Sequence, residues 1–151
     1  MSRAAALFDL DGTLLGRGSA ERWFLRRAVL GRALPLAGLA AGLLRSVGLW
    51  LARRVRTPGE SKSYLAGLDC APLVSLGVKC VHEDVVPRLR PGLLHELEAH
   101  RAAGRAIVLL SGAPDFLVDE LARFLQADGH VASRLERKAG RFTGRILPPY
   151  P

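Results

Sequence analysis

The chain has 151 residues and a mass of 16.3 kDa, which fits one domain or one domain carrying a small insertion. Hydrophobic residues at 49% and charged residues at 24% exclude a disordered chain, and two cysteines, Cys70 and Cys80, exclude a disulfide-stapled scaffold. The net charge of +8 lies in one segment, since residues 17–56 hold nine arginines against a single acid, Glu21. That asymmetry points to a local anionic partner rather than a generally basic protein.

Ala4 to Leu10 reads as a short buried strand, closed by Asp11-Gly12. The Arg-rich apolar stretch from Ala20 to Arg56 suits one or two helices broken near Pro35, with Thr57-Pro58-Gly59 as punctuation. A shorter helical stretch is expected over Glu60–Leu68, and Val74–Val86 has no regular pattern. Pro91-Gly92 opens a helix with Leu93, Leu94 and Leu97 on one face, stopped by Gly104. Ala106–Leu110 is a continuous apolar run, as in a parallel strand covered on both faces. Ser111-Gly112-Ala113 is expected to turn the chain into a helix that starts at Pro114 and directs Leu117, Leu121, Phe124 and Leu125 inward. Gly129 lies just past that helix, and Val131–Leu147 reads as a hairpin around Ala139-Gly140, with Gly144 as a second break. This order predicts an α/β fold, a Rossmann-like doubly wound parallel sheet with an inserted helical cap, and ligands outside the carboxyl ends of the strands.

The apolar segment does not read as a membrane span. Its longest uncharged run, Ala33–Leu44, is 12 residues, whereas a bilayer needs about 20. Extension to Ala52 buries Arg45 near the middle, at a cost of roughly 2.5–3.5 kcal/mol. Asp9 and Asp11 interrupt the apolar N-terminus before a signal-peptide core can form. A cytoplasmic location is expected, with the thiols reduced.

Two strand ends carry polar residues. Asp9 and Asp11 are two apart and can face one small volume where the first strand ends, and Gly12 lets the chain turn away. Two carboxylates so close repel unless a cation or proton is present, and a hard divalent ion, Mg²⁺, resolves the conflict. The same ion neutralises a phosphoryl group placed against the pair. Asp9 is then placed to attack phosphorus, and Asp11 to exchange a proton with the leaving oxygen and with water.

Phe8-Asp9-Leu10-Asp11-Gly12-Thr13-Leu14 resembles the first motif of the haloacid dehalogenase superfamily of phosphotransfer enzymes. The Ile107–Ser111 run resembles its second motif, and Arg90-Pro91-Gly92 before the intervening helix fits the same pattern. Ser111-Gly112, Ala132-Ser133-Arg134-Leu135 and Gly140-Arg141-Phe142-Thr143-Gly144 are most similar to the phosphoserine phosphatase-like subfamily. The resemblance implies a core of residues 1–16 and 88–151 with a helical cap over 17–87. It also implies a nucleophile at Asp9, a general acid/base at Asp11, and Mg²⁺ on the Asp9 carboxylate and the Asp11 carbonyl. Ser111, Gly112, Gly12 and Thr13 are the residues expected to bind phosphate.

The sequence departs from that family in two respects. Its third-motif lysine normally follows the Thr-Gly hairpin, but the chain reaches Pro151 first, and Lys138 precedes the hairpin. The fourth-motif acidic pair is absent too, so a catalytically impaired fragment or remnant is the alternative. Such a remnant would bind an anionic membrane or a protein partner through the Arg-rich apolar cap. The second departure is at the glutamate that reads phosphoserine's amine, where this chain has Gly16-Arg17-Gly18-Ser19, with Glu21 only nearby. Phosphoserine is therefore not favoured. The substrate is expected to be a small phosphorylated metabolite or a lipid phosphate, the latter implying peripheral contact with an anionic membrane.

Other chemistries find no support. His82, His95, His100 and His130 share no metal-ligand spacing and are expected at the surface or in loops. Cys70 and Cys80 lack a supporting histidine, and no glycine-rich nucleotide loop is present. Trp23, Phe24 and Trp50 are expected to pack in the cap rather than stack on bases, so no nucleic acid is anticipated.

Overall fold

The first strand, β1 (Ala5–Asp9), alternates in burial, with Ala6 and Phe8 turned into the core and Leu7 64% exposed. It pairs in parallel with β2 (Ala106–Pro114), Ala6 beside Ile107 and Phe8 beside Leu109, and β2 pairs in parallel with β3 (Gly129–Ser133). The computed structural model describes residues 4–34, 36–52 and 62–148, and within them the main sheet has three strands in the order β1-β2-β3. The mixed α/β architecture with a parallel sheet is the one expected from the sequence. Helix α4 (Pro91–Ala102) connects β1's side of the chain to β2, and α5 (Asp115–Phe124) connects β2 to β3. Both crossovers advance the sheet in one direction, so right-handed connections put α4 and α5 on one face. Leu97 and the α5 residues Phe116, Leu117, Val118 and Leu121 are buried there, and His100 meets Phe8 edge-on at 5.7 Å.

Between β1 and α4 the described chain is helical. Helix α1 (Ala20–Leu30) begins where the Ser19 side chain accepts the Arg22 N–H at 3.1 Å, and it ends as Gly31 N–H returns to the Arg27 carbonyl at 2.8 Å. Helix α2 (Leu36–Leu51) follows, then a 3-10 turn at Ser63–Leu65 and α3 (Cys70–Cys80), which continues through a π turn (Val81–Val85) and a 3-10 turn (Val86–Arg88). No helix among the described residues is long and apolar enough to cross a membrane. The expected breaks at Pro35 and Thr57-Pro58-Gly59 lie outside the described residues.

This helical stretch shares its apolar interior with the sheet layer. Phe24 of α1 is fully buried and meets Phe116 of α5 edge-on at 5.2 Å, a burial that contributes roughly 1.5–3 kcal/mol. A Cβ on Gly77 of α3 would stand 2.6 Å from the Phe116 ring, so glycine there permits α3 and α5 to touch. The antiparallel hairpin of β4 (Leu135–Lys138) and β5 (Arg141–Ile146) lies against the same region. Residues 62–70 line its outer edge: Gly67 N–H donates to the Phe142 carbonyl at 2.8 Å, and Phe142 N–H donates to the Leu68 carbonyl at 3.0 Å.

Several elements differ from the sequence expectation. Val74–Val86, which lacked a pattern, is most of α3 and the π turn, because Gly77 replaces the apolar residue that would complete the helical stripe. Helical structure over Glu60–Leu68 reduces, in the described part, to the single turn at Ser63–Leu65. Ser111-Gly112-Ala113 does not turn the chain; β2 runs through to Pro114, with its register to β3 shifting after Leu110. Residues 131–133, assigned to a hairpin, belong to β3, and the hairpin is β4–β5 alone. Phe124 is 45% exposed rather than inward, since the buried stripe of α5 passes through Leu117, Leu121 and Leu125.

Candidate active site

β1 delivers Asp9 as its last residue, and the chain then folds back on itself. Leu14 N–H donates to the Asp9 carbonyl at 3.2 Å, Leu15 N–H to the Leu10 carbonyl at 2.8 Å, and Gly12 N–H to the Leu15 carbonyl at 2.9 Å. Gly12 sits at φ +93°, a conformation that a side chain would strain. Leu10, Leu14 and Leu15 are all fully buried and anchor the loop from beneath. The two acids are thereby carried on a short loop whose backbone bonds and apolar side chains are already committed.

Each carboxylate has defined partners. Thr13 Oγ1 donates to Asp9 Oδ2 at 2.6 Å. Asp11 Oδ1 accepts the Ala20 N–H at 2.8 Å, at the first turn of α1, where unpaired N–H groups and the helix dipole favour negative charge. Asp11 Oδ2 accepts the Ser111 hydroxyl at 2.9 Å. Ser111 is buried, and its Oγ also accepts the Ala113 N–H at 3.0 Å, which fixes the side chain. Gly112 follows it, and the Gly112 carbonyl accepts the Ser133 hydroxyl from β3 at 2.7 Å. The ends of all three parallel strands are thus tied together by side-chain hydrogen bonds.

Of the residues singled out from sequence, Asp11 and Ser111 are in direct contact across 100 positions of chain, and Asp9 and Thr13 are in direct contact on one loop. Gly12 lies in the loop after β1 and Gly112 within β2 beside Ser111, and no Cβ clash constrains either one. Ala20 is a member that sequence reasoning missed; it acts through a backbone N–H, which leaves no trace in residue identity. The three lysines of the chain are not bonded to Asp9. Lys62 is nearly buried and pairs with Glu21 at 2.6 Å, Lys138 pairs with Glu136 at 3.3 Å, and Lys79 lies exposed on α3.

The donor set can be tested for a hard divalent ion. Among the described residues, neither Asp9 Oδ1 nor the Asp11 carbonyl oxygen accepts a hydrogen bond, so two hard oxygens on one loop are available. No cluster of three or more acidic, histidine or cysteine side chains with metal-holding geometry exists among those residues. Two protein oxygens suffice for Mg²⁺, which keeps several waters and commonly binds through one or two carboxylates plus substrate phosphate.

The histidines and thiols stand apart from this cluster. His82 meets Glu120 at 2.8 Å and His130 meets Asp119 at 2.6 Å, both at the surface around α5. Both cysteines are free; burial, reinforced by nearby Asp84, pushes the Cys80 thiol up to about 12. Asp115 is the first residue of α5, where its carboxylate accepts the Phe116 N–H at 2.9 Å and pairs with Arg137 at 3.1 Å. Burial holds that carboxyl above its usual range despite Arg137.

The sequence model of the haloacid dehalogenase-like hydrolases matches residues 6–150. A phosphoserine phosphatase of Mycobacterium tuberculosis is 30% identical over 154 residues, covering 95% of this chain and 48% of that protein. A probable phosphatase of the same organism is 28% identical over 151 residues, covering 96% of this chain and 52% of the relative. A Bordetella pertussis protein of unknown function has a similar solved structure, with TM-score 0.74 and 27% identity over 98% of this chain and 68% of that one. The chain spans about half the length of the curated relatives it matches. With the family's pattern matched from β1 through the hairpin, the chain belongs to the haloacid dehalogenase-like hydrolase family.

Proposed function

We propose that the chain is a phosphatase, hydrolysing a phosphomonoester through a covalent phosphoryl intermediate on Asp9. The carrying observation is the contact of Asp11 with the Ser111 hydroxyl across the ends of two adjoining parallel strands, with Asp9 two residues before Asp11 as the last residue of β1. Phosphoryl transfer needs positioning and charge neutralisation more than elaborate covalent chemistry, and a pre-tied strand-end cluster supplies positioning. The names of the relatives support the same reaction class.

In this reading residues 1–16 and 88–151 form the catalytic core, and 17–87 form a helical cap over it. Mg²⁺ would be held by Asp9 Oδ1 and the Asp11 carbonyl, and when bound it neutralises charge on the phosphoryl oxygens. Asp9 forms a bond to phosphorus as the ester P–O bond breaks. Asp11, in its carboxyl form, gives its proton to the departing oxygen. In the second half, Asp11 takes a proton from water, the water oxygen bonds to phosphorus, and the bond to Asp9 breaks to release inorganic phosphate.

The Ser111 hydroxyl has one proton, so it cannot donate to Asp11 and to a phosphoryl oxygen together. An arriving phosphoryl group draws that proton away from Asp11 Oδ2, which is then open to carry the proton of general acid catalysis. Gly12, Thr13 and Gly112 shape the surrounding backbone into a phosphate cradle. The substrate is a small phosphorylated metabolite or a lipid phosphate. Phosphoserine itself is not favoured, because Glu21, in the first turn of α1, is engaged by Lys62 at 2.6 Å and Tyr64 at 2.5 Å.

The test is steady-state hydrolysis of a generic aryl phosphate with and without Mg²⁺, in the native chain and Asp9→Asn. Metal-dependent turnover that vanishes in Asp9→Asn is expected; undiminished hydrolysis by that variant rules the mechanism out.

A further inference from the structure

Trp23 lies half-buried on α1, and its indole is covered by guanidinium groups. Arg88 Cζ stands 4.1 Å and Arg26 Cζ 5.5 Å from the ring centroid. Two adjoining hollows of about 510 and 440 Å³ share Trp23 and Arg17 as walls. Arg22, Arg26, Arg88 and Arg90 complete the cationic lining, and among the described residues no acid lines either hollow.

The acids nearby are already used. Glu21 is taken by Lys62 and Tyr64, and Glu83 and Asp84 are taken by Arg27. The guanidinium groups of Arg17 and Arg22 make no hydrogen bond or ion pair with any described residue, and Arg26 makes only its contact with Trp23. Among the described residues, Arg88 and Arg90 give hydrogen bonds only to the carbonyls of Asp84 and Gly16, at 2.5 and 3.4 Å. Five like charges on one concave surface repel, and planar guanidinium forks match phosphate oxygens. Gly16 and Gly18 belong to the loop that begins at Asp11, yet neither hollow includes Asp9, Asp11 or Ser111.

We propose that this arginine–indole groove is a binding site for a phosphate-bearing polyanion, distinct from the Asp9–Asp11–Ser111 cluster. Its occupation does not depend on Asp9 acting as a nucleophile. The free polyphosphate and the lipid headgroup are two sources of the same chemistry, and they separate in one experiment.

Trp23 is the built-in reporter, and Trp50→Phe leaves it as the sole tryptophan. Titration with inorganic tripolyphosphate is expected to give a saturable change in emission. Arg22→Ala or Arg26→Ala should weaken it about tenfold, the usual loss for a charge-assisted hydrogen bond. The matched surface variant Arg145→Ala should leave binding unchanged, and so should Asp9→Asn. Salt near 1 M, where the screening length is about 3 Å, should abolish it. Vesicles of phosphatidylcholine with phosphatidate form the second arm. A response there alone, with the same arginine dependence, assigns the site to a lipid headgroup. No response in either arm overturns the proposal, as does equal weakening by Arg145→Ala or loss of binding in Asp9→Asn. If Trp50→Phe fails to fold, the difference between the native chain and Trp23→Phe isolates the same signal.

Discussion

Asp11 binds the second strand and the first helix at once, through Ser111 at 2.9 Å and the Ala20 N–H at 2.8 Å. Removing its carboxylate leaves a buried hydroxyl and a helix-end N–H without their acceptor, so Asp11→Ala should lower unfolding free energy by about 1–3 kcal/mol in a urea titration. Asp9→Asn, where among the described residues the carboxylate is bonded only by Thr13, should change it by less than about 1 kcal/mol. That contrast separates loss of fold from loss of chemistry. Cys80 gives a second prediction at this scale. Burial pushes its folded thiol from an ordinary 9.0 up to about 12. Between those values the unfolded chain loses the proton while the native chain keeps it, so this thiol's stabilising effect is complete below pH 9 and declines as pH rises above it. At pH 8 the native protein should therefore alkylate at the half-exposed Cys70 far faster than at Cys80, as peptide mass mapping would report. Equal labelling would mean that α3 opens readily. The acidic pair and Ser111 were legible in the sequence because residue identity and strand-end position are both written there. The Ala20 N–H was not, since a backbone donor looks the same at every residue.

At the scale of elements, periodicity located what is regular and missed what is packed closely. α4 and α5 announce themselves by apolar spacing and by Pro91 and Pro114 at their starts. α3 does not, because Gly77 interrupts its stripe so that Phe116 can approach to 2.6 Å of the missing Cβ. Gly77→Ala should accordingly destabilise by about 1–3 kcal/mol through overpacking. Gly48, exposed within α2 and with no atom within 4 Å of a built Cβ, should respond oppositely, gaining about 0.5–1 kcal/mol on substitution by alanine. Thermal denaturation of the two variants compares the effects directly; the same sign for both would contradict the packing assigned to α3. The extension of β2 through Ser111 and Gly112 was hidden for another reason. Small polar residues usually mark turns, and only tertiary pairing with β3, Pro114 beside Ser133, keeps the strand extended.

Across the whole molecule, the helical stretch and the sheet layer share one apolar interior. Phe24, Leu73, Cys80 and Val85 from the helical part are in the same buried cluster as Ile107, Leu109 and Phe142. Unfolding is therefore expected as a single transition, with far-UV and near-UV circular dichroism coinciding; two separated transitions would show the helical part to be an independent unit. Among the described residues, β1 has a neighbour on one side only, and Leu7 stands exposed beside that free edge. Unpaired strand edges with apolar side chains invite association, so Leu7→Lys should improve solubility in the native chain. The parallel-sheet class was readable from the alternation of strands and helices. The manner in which the helical part fuses with the hairpin was not, because those bonds join backbone groups far apart in sequence.

If Asp9 carries the phosphoryl group during turnover, the adduct can be trapped on it. Acid quench of the native chain during turnover of an isotopically labelled phosphomonoester, followed by peptide mapping, should place a hydroxylamine-labile phosphoryl label on the peptide containing Asp9. The label should be absent in Asp9→Asn. Turnover without label, or label on any other residue, contradicts the account.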